Sequence, residues 1–276
     1  MVLSPACAAA DGKRIFVFGG MDRSRRYDDC FVLGTDKINS APPLVRWTVP
    51  EVTGAIPAPR ANHTSTLVDD KLYIIGGYGG AGFSRVMFND VHVLDTNTFE
   101  FTKLTPSGTA PDPRANHVTV SVRNKLYVMG GRGFTSVYDD TWVLDLDEMK
   151  WSKDPVTFPE PCYNHAGLAT MAVPTWKAFF FGGRHGVYDK DTDTRKYNGQ
   201  ITVLDVDNMT WLSPTINGKS PSPREDSIMV YDSKNSRMVM IGGWCVLSHF
   251  PSRFPAPVLF RPPNPSFSFM YGPFLD

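Results

Sequence analysis

Cysteine is scarce in this sequence, with four residues in a chain of 276. Cys7, Cys30, Cys162 and Cys245 lie far apart and form neither a C-x-x-C pair nor the Cys and His spacing of a zinc site. This pattern excludes a disulfide-rich framework. We therefore expect reduced thiols in a cytoplasmic protein.

Net charge and long apolar runs are also missing. The 28 basic and 28 acidic residues cancel, so no broad attraction to nucleic acid or to an anionic membrane is expected. No uninterrupted apolar run approaches the roughly 18 to 20 residues that span a bilayer. We therefore predict a soluble protein that has no nucleic-acid partner and no membrane partner.

Helical stretches are hard to find, whereas glycine and proline are plentiful, with 23 residues each. Pairs of glycines recur roughly every 50 to 60 residues, and each pair ends a short apolar run. The five runs are RIFVFGG, KLYIIGG, KLYVMGG, AFFFGG and RMVMIGG. Each run is too short for a typical helix and is rich in β-branched, aromatic or Met residues. The sequence therefore predicts a buried strand that ends at a glycine turn in every repeat.

Three further strands per repeat are predicted from the same landmarks. The segments DDCFVLG, NDVHVLD, DDTWVLD and GQITVLD alternate as half-buried third strands do. An aromatic residue follows the last three at a constant offset, on a predicted fourth strand: Phe101, Trp151 and Trp211. Trp47 takes this part in the first repeat, where ACAAA is a degenerate first strand.

The glycine pairs with their spaced aromatic residues resemble the kelch-repeat β-propeller family. The resemblance implies an all-β fold with about five four-stranded blades, of which the first and the last are incomplete. We expect an incomplete propeller ring over residues 1–250. Residues 251–276 are rich in proline, which removes hydrogen-bond donors from a sheet. We expect an irregular tail there, which is either a flexible end of the chain or a segment that replaces the rest of the last blade.

Patterns that suggest catalysis fail on inspection. Residues 217–220 resemble the end of a phosphate loop, but the first glycine of that motif is missing. Residues 189–193 begin like a calcium loop and then depart from it. Three histidines stand at equivalent repeat positions, which favours packing at a strand start over a metal site: His63, His117 and His165. We predict no catalytic residue, no metal and no cofactor.

A binding face follows from an antiparallel four-strand repeat. The turn after the second strand and the link into the next repeat emerge on the same side of the sheet. The candidates from the links are Arg60, Arg114, Arg224, Asn62, Asn116 and Asp226, and those from the turns are Tyr78, Arg132, Arg184 and Trp244. Arginine and aromatic residues are typical of protein-binding hot spots. The alternative for the three link arginines is that they only bridge one repeat to the next.

Two segments carry a narrower resemblance. VPTWKAFFFGGRHG from Val173 and PSPREDSIMVYDSKNSRMVMIGGW from Pro221 resemble the amino-terminal propeller of the alpha-type heavy chain of flagellar outer-arm dynein. This resemblance implies a structural role in the axoneme of a cilium or flagellum, with dynein subunits or tubulin as protein partners. The motor's nucleotide sites are missing from this sequence. The alternatives are a cytosolic adaptor, such as a ubiquitin-ligase receptor or a trafficking effector, and a metal-dependent kelch enzyme.

Overall fold

A computed structural model describes residues 7–22, 24–80, 84–172, 174–186, 196–244, 258–260 and 269–270. Strands dominate these residues, a 3-10 turn spans Ser233–Asn235, and no α-helix occurs among them. The contacts divide the chain into two compact units. The first comprises Met1–Val128, Arg132–Ser136 and Trp142–Asp154, and the second comprises Met129–Gly131, Val137–Thr141 and Pro155–Asp276.

The first sheet is an antiparallel meander of four strands in chain order. Its strands are β1 (Cys7–Ala10), β2 (Arg14–Phe18), β3 (Cys30–Gly34) and β4 (Arg46–Thr48). The ACAAA segment thus contributes a strand, as the sequence predicts. The glycine turn, the third strand and the fourth strand also follow one another along the chain in the predicted order.

The second sheet repeats this meander and adds one strand from the preceding link, which pairs in parallel with the outer strand. Its strands in chain order are β5 (Thr53–Gly54), β6 (Thr64–Val68), β7 (Lys71–Ile75), β10 (Val91–Asp95) and β11 (Glu100–Leu104). A small ribbon follows the glycine turn and consists of β8 (Tyr78–Gly79) and β9 (Val86–Met87).

The third and fourth sheets have four strands each, again in chain order. The third contains β12 (Val118–Val122), β13 (Lys125–Met129), β14 (Thr141–Asp145) and β15 (Lys150–Asp154). The fourth contains β16 (Cys162–Ala172), β17 (Thr175–His185), β18 (Ile201–Asp205) and β19 (Thr210–Leu212).

The fifth sheet differs from the expectation for the end of the chain. It contains β20 (Glu225–Asp232), β21 (Arg237–Trp244), β22 (Val258–Phe260) and β23 (Phe269–Met270). The last two strands lie in the proline-rich segment, where an irregular tail is expected. Both strands are short and contain no proline, so each of their residues has the backbone N–H group that strand pairing uses. The remaining residues of the segment 245–276 lie outside the described residues.

An aspartate at the end of the third strand sets the offset of the aromatic residue. The Asp95 Oδ1 atom accepts the backbone N–H groups of Asn97 and Thr98 at 2.9 and 3.0 Å. Phe99 then takes a left-handed φ of 58°, which turns the chain back so that Phe101 pairs with Leu94. Asp145 and Asp205 form the same turn in the third and fourth sheets.

Cores lie between neighbouring sheets within each unit. In the first unit, Phe16 and Phe18 of the first sheet pack against Leu72, Ile74 and Phe101 of the second. A second core joins the second and third sheets, and a third core in the second unit joins the fourth and fifth sheets. A single sheet cannot bury both of its faces, so repeated packing residues are required in every sheet.

The fourth-strand aromatic residues differ in burial. Phe101 is 1% exposed and Trp151 is 3% exposed, whereas Trp47 at the matching position of the first sheet is 56% exposed. The sequence predicts the position of Trp47 correctly. The repeat position alone therefore does not determine the burial of this residue.

Candidate partner-binding face

The first four glycine pairs each contact the link into the next repeat, and we call each of these contacts a joint. The Gly77 N–H group donates to the Arg114 carbonyl oxygen at 2.8 Å, and both glycines of the pair have φ values of 63 and 91°. A Cβ atom on Gly76 would lie 2.7 Å from the Arg114 carbonyl oxygen and 2.9 Å from the His117 ring. A side chain is therefore excluded by both conformation and space. The same hydrogen bond recurs from Gly20 to Arg60, from Gly131 to Cys162 and from Gly183 to Arg224.

The three equivalent histidines each pack in a different joint. The imidazole Cε1 atoms of His63, His117 and His165 lie within 3.2 Å of the position that a Cβ would take on the first glycine of the preceding pair. Burial lowers the pKa of His63 to about 3, and the Arg60 charge acts in the same direction. Among the described residues, no group of three or more His, Cys, Asp or Glu side chains is arranged to hold a metal ion.

Arg60 is fully buried and is bound within its own sheet. Its Nη1 atom donates to the Gly76 carbonyl oxygen at 2.9 Å and to Asp90 Oδ1 at 2.7 Å, while Nη2 donates to Asp90 Oδ2 at 3.0 Å. The guanidinium carbon lies 4.2 Å from the Phe88 ring centroid. Burial opposes ionisation of Asp90, but hydrogen bonds from His92 and Arg60 outweigh it and hold the pKa of Asp90 well below its usual range.

The other two link arginines are buried in the same way. Arg114 is 1% exposed and its Nε atom donates to the Asp112 carbonyl oxygen at 3.1 Å. Arg224 is 5% exposed and its Nη1 atom donates to the Gly242 carbonyl oxygen at 2.9 Å. These contacts favour the structural alternative for the link arginines. The bridge to the preceding repeat is made by their backbone carbonyl groups, whereas each guanidinium group whose contacts are described lies against its own sheet.

In the second to fifth sheets, the glycine turn and the link lie on one side of the sheet, as the strand directions predict. The residue after the glycine pair forms a backbone bridge to the second residue of the link motif: Ala61 with Tyr78, Ala115 with Arg132, Tyr163 with Arg184, and Glu225 with Trp244. We call this side of the sheets the turn face. The structure thus brings the predicted turn and link residues together within each sheet.

Three predicted residues of the first unit form polar contacts on the turn face. The Arg132 Nε atom donates to the Asn116 side-chain oxygen at 3.1 Å, and the Asn116 N–H group donates to the Asn62 carbonyl oxygen at 2.9 Å. Both asparagines adopt a left-handed φ, of 56° for Asn62 and 59° for Asn116. Tyr78 lies beside them in the repeat order, and the Arg26 guanidinium carbon lies 4.9 Å from its ring centroid.

A carboxylate organises the turn face of the second unit. Glu225 Oε2 accepts a hydrogen bond from the Asn164 side-chain nitrogen at 2.8 Å and lies 3.8 Å from Arg184 Nε. The Arg184 guanidinium carbon lies 5.6 Å from the Tyr163 ring centroid and 5.8 Å from that of Tyr197. Arg184 is thus fixed between an acidic group and two rings, and its side chain retains 20% exposure.

Asp226 stands beside this cluster with a φ of 56°, at the position that asparagine holds in the three preceding repeats. Desolvation by the surrounding protein raises the pKa of Asp226 to about 6, and the Glu225 charge adds to this effect while Arg184 opposes it. Solvent still reaches the Asp226 side chain. Trp244, the turn residue of the fifth sheet, is 63% exposed.

Several residues of this face are missing from the sequence-based set. Asp90 is the partner of Arg60, but it lies 30 residues along the chain, and no local pattern links the two. Glu225 is conspicuous only once Asn164 is known to adjoin it. Residues 187–195, which include the candidate calcium loop, lie outside the described residues.

The geometry above defines a class of protein, and comparison with known sequences agrees with it. The model of the KLHDC2/KLHL20/DRC7 Kelch-repeats domain matches residues 3–183. The chain belongs to the kelch-repeat domain family, and its fold class is the all-β kelch β-propeller. Among the described residues, no helix is long and apolar enough to cross a membrane.

Individual relatives share this repeat region. The chain is 35% identical over 254 residues to the dynein alpha chain of the flagellar outer arm of Chlamydomonas reinhardtii, covering 87% of this chain and 5% of that protein. It is 39% identical over 127 residues to the Rab9 effector protein with kelch motifs of Bos taurus, covering 46% of this chain and 32% of that protein.

It is also 28% identical over 235 residues to acyl-CoA-binding domain-containing protein 5 of Arabidopsis thaliana, covering 82% of this chain and 32% of that protein. The chain thus spans about a third or less of the length of each of these three relatives.

Proposed function

We propose that this chain is a non-catalytic scaffold that binds another protein through its turn face. The observation that carries this proposal is the setting of Arg132 and Arg184. Each follows a glycine pair, stays partly exposed and is held by a neighbouring polar group, Asn116 or Glu225. An arginine that is already oriented loses less conformational freedom on binding, which favours a hot spot at these positions.

The other predicted contact residues have different parts in this proposal. Tyr78 and Asn116 line the turn face beside Arg132, and Asn62 positions Asn116 through its carbonyl group. The buried Arg60, Arg114 and Arg224 would hold the links in shape without touching the partner. We further propose that the five sheets are five consecutive blades, of which the fifth extends beyond residue 250 to Met270.

The likeness to the dynein alpha chain supports a partner in the axoneme. In this proposal the propeller binds a dynein subunit or tubulin in a cilium or flagellum. Acidic tubulin tails are complementary to arginines on the turn face, and such complementarity speeds association and favours the correct partner.

The second candidate function is that of a cytosolic adaptor. It is favoured by the likeness to a protein whose name describes it as a Rab9 effector. In that case the turn face would bind a protein of membrane trafficking or a subunit of a ubiquitin ligase. Both candidate functions use the same residues, so the identity of the captured protein separates them.

Affinity capture tests the proposal. The immobilised protein is incubated with an extract of ciliated cells and, separately, with purified tubulin, and bound proteins are identified by mass spectrometry. We expect Arg132→Gln and Arg184→Gln together to abolish capture. Arg132→Gln should leave the stability within about 0.5 kcal/mol, whereas Arg184→Gln should cost about 1 kcal/mol because the buried Glu225 loses its counter-ion at 3.8 Å. Glutamine is chosen because a glutamate at position 184 would repel Glu225.

Lys13→Gln is the matched control, because Lys13 is exposed in the turn between β1 and β2, at the far end of the first sheet from its glycine turn. This variant should capture the same proteins as the wild type. Capture that survives both arginine substitutions would place the binding surface elsewhere. Capture of nothing specific by the wild-type protein would refute the scaffold proposal.

A further inference from the structure

A cavity of about 230 Å³ opens in the second unit, between the link into the fourth sheet and the strands β17 and β18. Its lining includes the rings of Phe158 and Phe180, which lie 5.0 Å apart in an edge-to-face arrangement. Cys162 and His165 also line it, with the Cys162 sulfur 3.6 Å from His165 Nδ1. The cavity volume is smaller than that of most drug-sized ligand pockets and suits a single side chain.

The second sheet has a side chain where the fourth sheet has this cavity. Arg60 extends from the link to the Gly76 carbonyl oxygen and to both carboxylate oxygens of Asp90. It packs over the Phe88 ring and is fully buried. The fifth sheet has the same arrangement, because Arg224 extends to the Gly242 carbonyl oxygen at 2.9 Å.

The repeat alignment shows what the fourth sheet lacks. Cys162 stands at the arginine position, since its carbonyl oxygen accepts the Gly131 N–H group as the carbonyl oxygens of the link arginines do in the other joints. In the second sheet, Arg60 donates to the Gly76 carbonyl oxygen and to the Asp90 carboxylate. Gly182 and Gln200 hold the matching positions in the fourth sheet, and both line the cavity. The cavity is therefore the space that an arginine side chain fills elsewhere in this chain.

The charges around the cavity suit a cation. Burial raises the pKa of the Cys162 thiol to about 12 and lowers the pKa of His165 to about 3, so neither group is charged at neutral pH. Glu160 lines the mouth with a side chain that is 69% exposed, and its Oε2 atom lies 3.2 Å from His185 Nδ1. An incoming guanidinium group would find an amide at Gln200, aromatic rings and this carboxylate.

We propose that the cavity receives an arginine side chain of a partner protein, in place of the arginine that this repeat lacks. The inference rests on the proposed scaffold function and specifies the chemistry that the second unit recognises. The guanidinium group donates to the side-chain oxygen of Gln200 and to the backbone carbonyl oxygen of Gly182. The Glu160 carboxylate forms an ion pair with this guanidinium group at the opening of the cavity. Phe158 and Phe180 cover its aliphatic part.

The test uses the capped tripeptide acetyl-Gly-Arg-Gly-amide as the probe. Three matched peptides replace arginine by lysine, by the neutral isostere citrulline and by phenylalanine. Binding to the full chain is measured by saturation-transfer NMR and by titration calorimetry. We expect the arginine peptide to bind at least about tenfold more tightly than any of the other three.

Two substitutions fill the cavity by different means. Cys162→Arg restores the missing repeat side chain, and Thr202→Trp fills the space without adding charge, using the residue that Trp142 supplies at the matching position of the third sheet. Each should weaken binding of the arginine peptide at least about tenfold. Thr210→Arg, on the exposed outer strand β19, adds the same charge outside the cavity and should leave binding unchanged.

Three results would overturn the inference. The first is that the arginine peptide does not bind the wild-type protein. The second is that it binds either cavity variant as tightly as the wild type, which would place its site elsewhere. The third is that the phenylalanine peptide binds more tightly, which would make the cavity an apolar pocket. None of these results affects capture of a protein partner through Arg132, so failure here is distinguishable from failure of the scaffold proposal.

Discussion

Truncation of a fourth-strand tryptophan measures how much packing against a neighbouring sheet contributes to the free energy of unfolding. Trp151 is 3% exposed and belongs to a core with Ile75 of the second sheet and Leu126 of its own sheet. A tryptophan of this kind buries about 200 Å² of surface, which at about 25 cal/mol per Å² corresponds to about 5 kcal/mol. Measured tryptophan truncations cost about 3 to 5 kcal/mol, and we expect Trp151→Ala to lie in that range.

Trp47→Ala is the matched control, since the residue type and the repeat position are the same. Trp47 is 56% exposed, so less than half of its surface is buried, and we expect a loss of at most about 2 kcal/mol. The free energies of unfolding are measured by guanidinium denaturation followed by circular dichroism. Equal losses in the two variants would show that burial against a neighbouring sheet does not stabilise this fold.

Three further substitutions test other contacts. Arg60→Ala should destabilise the protein by about 3 kcal/mol in denaturant titration, because Asp90 keeps a partly buried charge without its counter-ion; a loss below about 0.5 kcal/mol would contradict this role. The raised pKa of Asp226 means that folding favours its protonated form, so stability falls as pH rises through the interval from 3.8 to about 6. Asp226→Asn should therefore raise the melting temperature at pH 7.5 and much less at pH 4.5, and an equal change at both would refute the assignment. Gly76→Ala should destabilise more than Gly12→Ala, because both have positive φ but only Gly76 would place its Cβ against a neighbouring carbonyl group; calorimetric melting of both variants compares them.

Much of the fold is predictable from the sequence because the repeat carries its own markers. A glycine pair after an apolar run marks the end of the second strand, since both glycines need positive φ and close approach to the next link. An aspartate such as Asp95 marks the end of the third strand, because it caps the turn that follows. These features depend on neighbours in sequence or on the adjacent repeat.

The candidate site is less predictable because the same residue type has different roles at different positions. Arg60 and Arg132 are both arginines near a glycine joint, yet one is buried against Asp90 and the other stays partly exposed beside Asn116. The cavity at Cys162 is harder still to foresee. It requires the loss of an arginine in the link and of a carboxylate at Gln200, and these two changes adjoin only in the folded sheet.

Amide hydrogen exchange at the second glycine of the first four pairs tests the central claim, that these pairs join successive repeats. We expect slow exchange at four N–H groups that donate to a link carbonyl oxygen: Gly20, Gly77, Gly131 and Gly183. Exchange should be fast at Gly12 and Gly186, exposed turn glycines with open space where a Cβ would be. Exchange at the four joint glycines as fast as at these two controls would contradict the account.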